Sequence, residues 1–224
     1  MPIYNVSLLS IDPVETKRYA GLRYTKDFDD ENIINACEDA QLLIEVKSIW
    51  EIYNYDYKNQ IVLSKPNVII SGKSIGKHLL NCDKVACIAA TVGEKIENEI
   101  SYRFESGKYL DSILLDAAAT TAVEQVANSM EEAIKQKVSH EGYNMRWRFS
   151  PGYGDWSLEQ QLDLYKLSGA EKIGIKLSTA MMMTPRKSIT AIIGLYKNEL
   201  SNKNNKIENY CTNCNKNDCQ VRKF

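Results

Sequence analysis

Arg146-Trp147-Arg148-Phe149-Ser150-Pro151-Gly152-Tyr153-Gly154-Asp155-Trp156 sets two guanidinium groups, four aromatic rings and a Pro-Gly-Tyr-Gly turn within eleven residues. Turns favour small polar residues, because Gly supplies positive φ and Pro pre-sets φ near −65°. This turn carries large side chains instead. Two readings follow from residue type alone. In one, glycines let backbone approach a ligand, Arg148 grips a carboxylate with its planar fork, and aromatic faces attract a cationic centre. In the other, Trp147, Phe149 and Trp156 pack in a core at the end of a strand, and both arginines are solvated.

Around this stretch the chain alternates helical and strand signals without a strict βα repeat. Asp12-Pro13 reads as an N-cap followed by Pro at the first helical position, with the helix ending near Gly21. Ile33, Ile34, Cys37, Ala40, Leu43 and Ile44 recur at helical spacing after Asp29 or Asp30. Residues 49–63 read as two strands joined by a turn, residues 67–70 as a strand, and 74–80 as a short helix. Val85 to Val92 is an apolar run of strand length, suited to burial on both faces. Two helices are expected over 94–104 and 110–138. Ala117, Ala118, Ala119, Ala122 and Ala127 thin one wall of the second. A short strand is expected over 3–9 and another over 189–195. Helices running between pairs of strands favour an α+β fold with an antiparallel or mixed sheet.

Composition narrows the function classes. The 224 residues carry 28 basic and 29 acidic side chains, so no field of one sign marks the chain for nucleic acid or membrane. No apolar run reaches the roughly 18–20 residues that span a bilayer, and Met1-Pro2-Ile3-Tyr4 lacks a basic leader region, so a cytoplasmic location is expected. Residues 198–209 are polar and rich in Asn and Lys, which reads as a linker. Beyond it, Cys211, Cys214 and Cys219 form C-x2-C-x4-C, one corner of a zinc or iron–sulfur site. A fourth ligand would come from Cys37, Cys82, Cys87 or a partner; without a metal, the tail is simply reduced. Residues 1–197 are expected as one domain and 198–224 as linker and cysteine-rich tail. His78 and His140 are assigned helix-end or surface roles rather than chemistry.

Two blocks in register carry a resemblance. Arg148-x-x-x-Gly152-Tyr153 is followed about 25 residues later by Gly174-x-x-Leu177 and Met183-x-Pro185-x-x-Ser188. Together they resemble the activation domain of cobalamin-dependent methionine synthase, over residues 143–192. The resemblance implies a twisted antiparallel sheet with helices around it. It also implies a site for S-adenosylmethionine, docked against a cobalamin carried by a partner: methionine synthase or another corrinoid protein. In that family the complex reductively remethylates oxidised cobalamin, an accessory part of a methyltransferase activity. Carried over, Arg148 holds the ligand carboxylate and Tyr153 lines the pocket beside the sulfonium or sugar. Pro151, Gly152, Gly154 and Asp155 complete the turn, whose backbone meets the adenosine. The acid that the family places six residues before the arginine falls on Gly142, with Glu141 beside it. The family's Pro-Ala-x-Pro-x-His continuation is replaced by Gly154-Asp155-Trp156-Ser157-Leu158-Glu159. An interaction module without the ligand, and a redox-active tail that reduces the corrinoid directly, are the alternatives.

Overall fold

A computed structural model describes residues 8–25 and 27–197. The expected strand over 3–9 falls mostly outside them, and Leu8 and Leu9 are not in a strand; the linker and the three tail cysteines lie outside them altogether.

Local signals become elements where expected. Asp12 caps α1 (Pro13–Tyr19) by accepting from the Val14 and Glu15 N–H groups, and Asp29 caps α2 (Asp30–Leu43). The strands β1 (Lys47–Asp56), β2 (Ile61–Val62) and β3 (Val68–Ile69) lead into the short helix α3 (Lys73–His78). Next come β4 (Lys84–Thr91), α4 (Lys95–Glu105) and α5 (Tyr109–Ser139), a helix of 31 residues and so about 46 Å long. The chain continues through β5 (Tyr143–Met145), α6 (Gln161–Ser168), the hairpin β6 (Lys176–Leu177) and β7 (Met183–Thr184), and β8 (Ser188–Lys197). Residues 158–168, to which the periodicity assigned no element, fold as a 3-10 turn running into α6.

The main sheet has the order β3-β2-β1-β4-β8-β5 and is antiparallel throughout. Its centre is β4, buried from Val85 to Thr91, as a continuous apolar run demands when both faces are covered. On one face Ala86, Ile88 and Ala90 pack with α2, α4 and the alanine wall of α5, and α1 lies on α5 and α2. On the other, Val85 and Cys87 pack with Ile75, Leu79, Phe149, Trp156 and Leu164. The small residues of α5 are what let a long helix lie close against the sheet. Ala118, Ala119, Ala122 and Ala127 have no exposed surface.

Candidate functional site

One extra residue decides where the Arg148 side chain goes. Met145 lies opposite Leu195 and Phe149 opposite Ile192, so four steps on the edge strand face three on β8. That mismatch is a β-bulge, which re-aims the residues after it. Tyr143 and Met145 accordingly face α5, whereas Trp147 and Phe149 face the opposite layer. Arg146 crosses to that layer too, its Nη2 donating to the Leu80 carbonyl at 3.0 Å and its guanidinium lying over the Tyr196 ring. Arg148 is turned back towards α5.

There it meets three polar residues of one helical stripe. Arg148 Nη2 donates to Glu124 Oε2 at 2.6 Å, and Nη1 donates to Asn128 Oδ1 at 2.8 Å and to Glu131. The Arg148 side chain is only 18% exposed, and the two carboxylates 33% and 22%. Burial works against the guanidinium charge, but Glu131 and Glu124 outweigh it and hold the pKa above the usual arginine value. One cation between two acids leaves the cluster net negative. A zwitterionic amino-acid head suits such a cluster: its carboxylate takes Arg148 donors and its ammonium takes the carboxylate released.

The same stripe continues one and two turns towards the α5 N-terminus. Lys187 Nζ bonds Thr120 Oγ1 at 2.8 Å and Asp116 Oδ2 at 2.9 Å. Asp116 and Thr120 line a cavity of about 320 Å³ with Tyr19, Ile113 and Arg186. Burial, followed by the Glu124 charge, pushes the Tyr19 phenol up. The second sequence block therefore reaches the Arg148 neighbourhood through α5. Its backbone is pinned as well, Lys187 N–H donating to Glu97 Oε1 at 2.6 Å and Ser188 Oγ to the Pro185 carbonyl at 2.7 Å. Of the three methionines, Met183 packs on a small cluster with Ile49 and Ile173, while Met182 is 60% exposed.

The other expected site residues separate from Arg148. Pro151 is buried, and Gly152, Tyr153, Gly154 and Asp155 are exposed on a turn that leans towards α3. The Tyr153 ring stands edge-on to Phe149 at 6.4 Å, on the layer away from α5. Asp155 does not offer its carboxylate outward; it accepts from the Lys73 and Ser74 N–H groups at 2.9 and 2.8 Å. Glu141 is not the companion of Arg148. It pairs with Lys84 at 3.4 Å beyond Tyr143, which lies opposite Lys197, about 17 Å along the sheet from Phe149. The acids beside Arg148 are Glu124 and Glu131, seven residues apart and hence on one helix face. Their spacing was visible in the chain, but nothing in it linked that face to Arg148.

The core-packing reading of the aromatic stretch holds in part. Phe149 and Trp156 are core, Trp147 is half-buried, and neither arginine is simply solvated. His78 is not a surface cap; it is half-buried against the Trp147 and Phe149 rings, at 4.3 and 5.2 Å. Cys37, Cys82 and Cys87 are buried, and burial pushes their thiols up. Among the described residues no group of His, Cys, Asp and Glu is arranged to hold a metal, and no helix is long and apolar enough to cross a membrane.

Compared with known proteins, the chain matches no family profile and no curated sequence. Its structure is similar to the reactivation domain of MetH, solved bound to AdoHcy, with a TM-score of 0.56 and 13% identity. The likeness covers 76% of this chain and 65% of that one. The α+β arrangement, an antiparallel sheet with helices around it, is thus the fold of the MetH reactivation domain.

Proposed function

We propose that the chain binds S-adenosylmethionine and acts as an activation-domain partner of a separate cobalamin-carrying protein. The observation that carries the reading is Arg148 held between Glu124 and Glu131 on a fold shared with a reactivation domain. The ligand carboxylate would exchange for one glutamate on Arg148, and the freed glutamate would receive the ammonium. The nucleoside would occupy the cavity that begins at Thr120, one turn from Glu124; its volume of about 320 Å³ is in the range of small-molecule pockets. The corrinoid of the partner supplies the cobalt chemistry, and this chain contributes proximity and orientation.

Titration calorimetry with S-adenosylmethionine and with 5′-methylthioadenosine, which lacks the amino-acid head, tests this site. The expected result is saturable binding of the first and at least about tenfold weaker binding of the second, since a charge-assisted hydrogen bond contributes roughly 1.5–3 kcal/mol. Equal binding of both would remove the head from the Arg148 cluster. No binding of either would leave the interaction module, a reading favoured by the donors Arg148 already commits to α5.

The partner would seat on the tip of the α4–α5 hairpin. Tyr102, Phe104, Tyr109, Leu110 and Ile113 are each between 47% and 62% exposed there, and Ile113 also lines the cavity. Apolar surface of that extent marks interaction sites. Replacing Phe104 and Leu110 together by Glu should weaken binding to a cobalamin-loaded methionine synthase fragment at least tenfold, roughly 1.4 kcal/mol, and leave S-adenosylmethionine affinity unchanged. An unchanged complex would move the docking face elsewhere. Residues 198–224 we assign to a separate linker and tail, in which Cys211, Cys214 and Cys219 hold zinc or an iron–sulfur cluster.

A further inference from the structure

We infer that Asp116 is a specificity residue of the α5 cavity, its carboxylate accepting from the two ribose hydroxyls of a nucleoside. The inference rests on the reading proposed above, in which the nucleoside lies beside Thr120 and the amino-acid head at Arg148. Asp116 stands on α5 eight residues before Glu124, about 12 Å along the helix axis. Glu124 is bonded to Arg148, so this interval is the one a methionyl chain has to bridge between head and sugar. Ile113 lines the cavity nearly one turn further on. The order along α5 therefore puts the sugar at Asp116 and the base at Ile113.

The carboxylate is held on one side and open on the other. Asp116 Oδ2 takes the Lys187 ammonium at 2.9 Å, and among the described residues no donor is bonded to Oδ1. Lys187 is largely buried, whereas the Asp116 side chain is half-exposed and lines the cavity. The lysine is itself fixed at two points: its Nζ donates to Thr120 Oγ1 at 2.8 Å and its N–H to the buried Glu97 at 2.6 Å. Thr120 in turn donates to the Asp116 carbonyl at 3.0 Å, which ties the lysine contact to the backbone of α5. An acid oriented in this way needs no rearrangement to receive a ligand.

The other walls leave Asp116 as the acceptor that reads the ligand. The Ser112 hydroxyl is committed to the Ile100 carbonyl at 2.8 Å, and the Thr120 hydroxyl to Asp116 and Lys187. Across the cavity α1 runs antiparallel to α5, tied by Asp12 N–H to Gln125 Oε1 at 3.1 Å and Thr16 Oγ1 to Thr121 Oγ1 at 3.0 Å. One turn beyond Thr16, Tyr19 closes the cavity with a ring. An ionised carboxylate only accepts, so it selects a ligand that presents O–H donors, and a cis diol presents two.

The test is titration calorimetry on the full chain with S-adenosylmethionine and its 2′,3′-dideoxy analogue, in wild type, Asp116→Ala and Asp116→Asn. Wild type should bind the dideoxy analogue at least about tenfold more weakly, because a site built to bond hydroxyls rejects a ligand that lacks them. Asp116→Ala should lose about tenfold in affinity for S-adenosylmethionine and nothing for the analogue, with Asp116→Asn, which keeps one acceptor oxygen, in between. A merely structural effect through Lys187 would weaken both ligands alike, and that result overturns the assignment. Wild type that binds the two ligands equally overturns it too, and leaves the proposed site standing. Wild type that binds neither overturns the underlying reading as well.

Discussion

Arg148→Ala is expected to lower the stability of the chain by about 2–3 kcal/mol and its melting temperature by roughly 4–10 °C, besides weakening S-adenosylmethionine binding. The reason lies on α5. Glu124 and Glu131 share Arg148 as a common partner, and truncation leaves two partly buried carboxylates facing each other without it. Removing one partner of a buried pair costs about 3–5 kcal/mol; the partial exposure of Glu124 reduces that figure by screening. The triple variant Arg148→Ala, Glu124→Gln, Glu131→Gln separates the two effects. Neutral amides remove the repulsion, so chemical denaturation should return most of the lost stability. Ligand affinity should stay low, because the charged groups that would receive the amino-acid head are gone. Stability that fails to recover would place the Arg148 contribution in packing rather than in charge.

Acidification should remove up to about 3 kcal/mol of stability through His78 alone. Burial above all, with the nearby Arg146 charge, lowers its pKa from 6.5 to about 4 against the opposing effect of the Trp147 carbonyl. That carbonyl accepts from Nε2 at 2.8 Å, which fixes the proton of the neutral ring on Nε2. The sign follows from proton counting. Between pH 6.5 and about 4 the unfolded chain binds a proton at His78 and the folded chain does not, so stability rises with pH. The contribution is complete above about 6.5 and is lost as pH falls towards 4. Denaturation curves for wild type and His78→Gln across this interval isolate it. The difference between them should change by roughly 1.4 kcal/mol per pH unit in the middle of the interval and flatten above pH 7. A constant difference would mean that His78 titrates normally.

Much of the architecture was legible because its signals are local. The Asp12 and Asp29 caps, the apolar run of β4 and the alanine-lined α5 each depend on neighbours a few residues away, and each formed where expected. The segment 158–168 gave no such signal. Its helix packs through Leu164 and Leu167 while Gln161 reaches the Thr190 hydroxyl at 2.6 Å, a contact set by β8 rather than by periodicity. The site was legible only as residue types. Arg148 stood out by its company in the sequence, yet Glu124, Asn128 and Glu131 come from a helix 17–24 residues earlier.

The sequence by itself determined the identity of the layers: where helices begin, which strand is central, and that two motif blocks belong to one fold. It also marked Arg148 as the cation to follow. Tertiary structure alone decided which way that cation points. Strict alternation from Tyr143 would have placed Trp147 and Phe149 on the α5 face and Arg148 on the opposite one. The bulge between Met145 and Phe149 reverses that assignment. Side-chain direction in a strand has period two, so a single unpaired residue exchanges the faces of everything after it. Its position is set by pairing with β8, more than forty residues later.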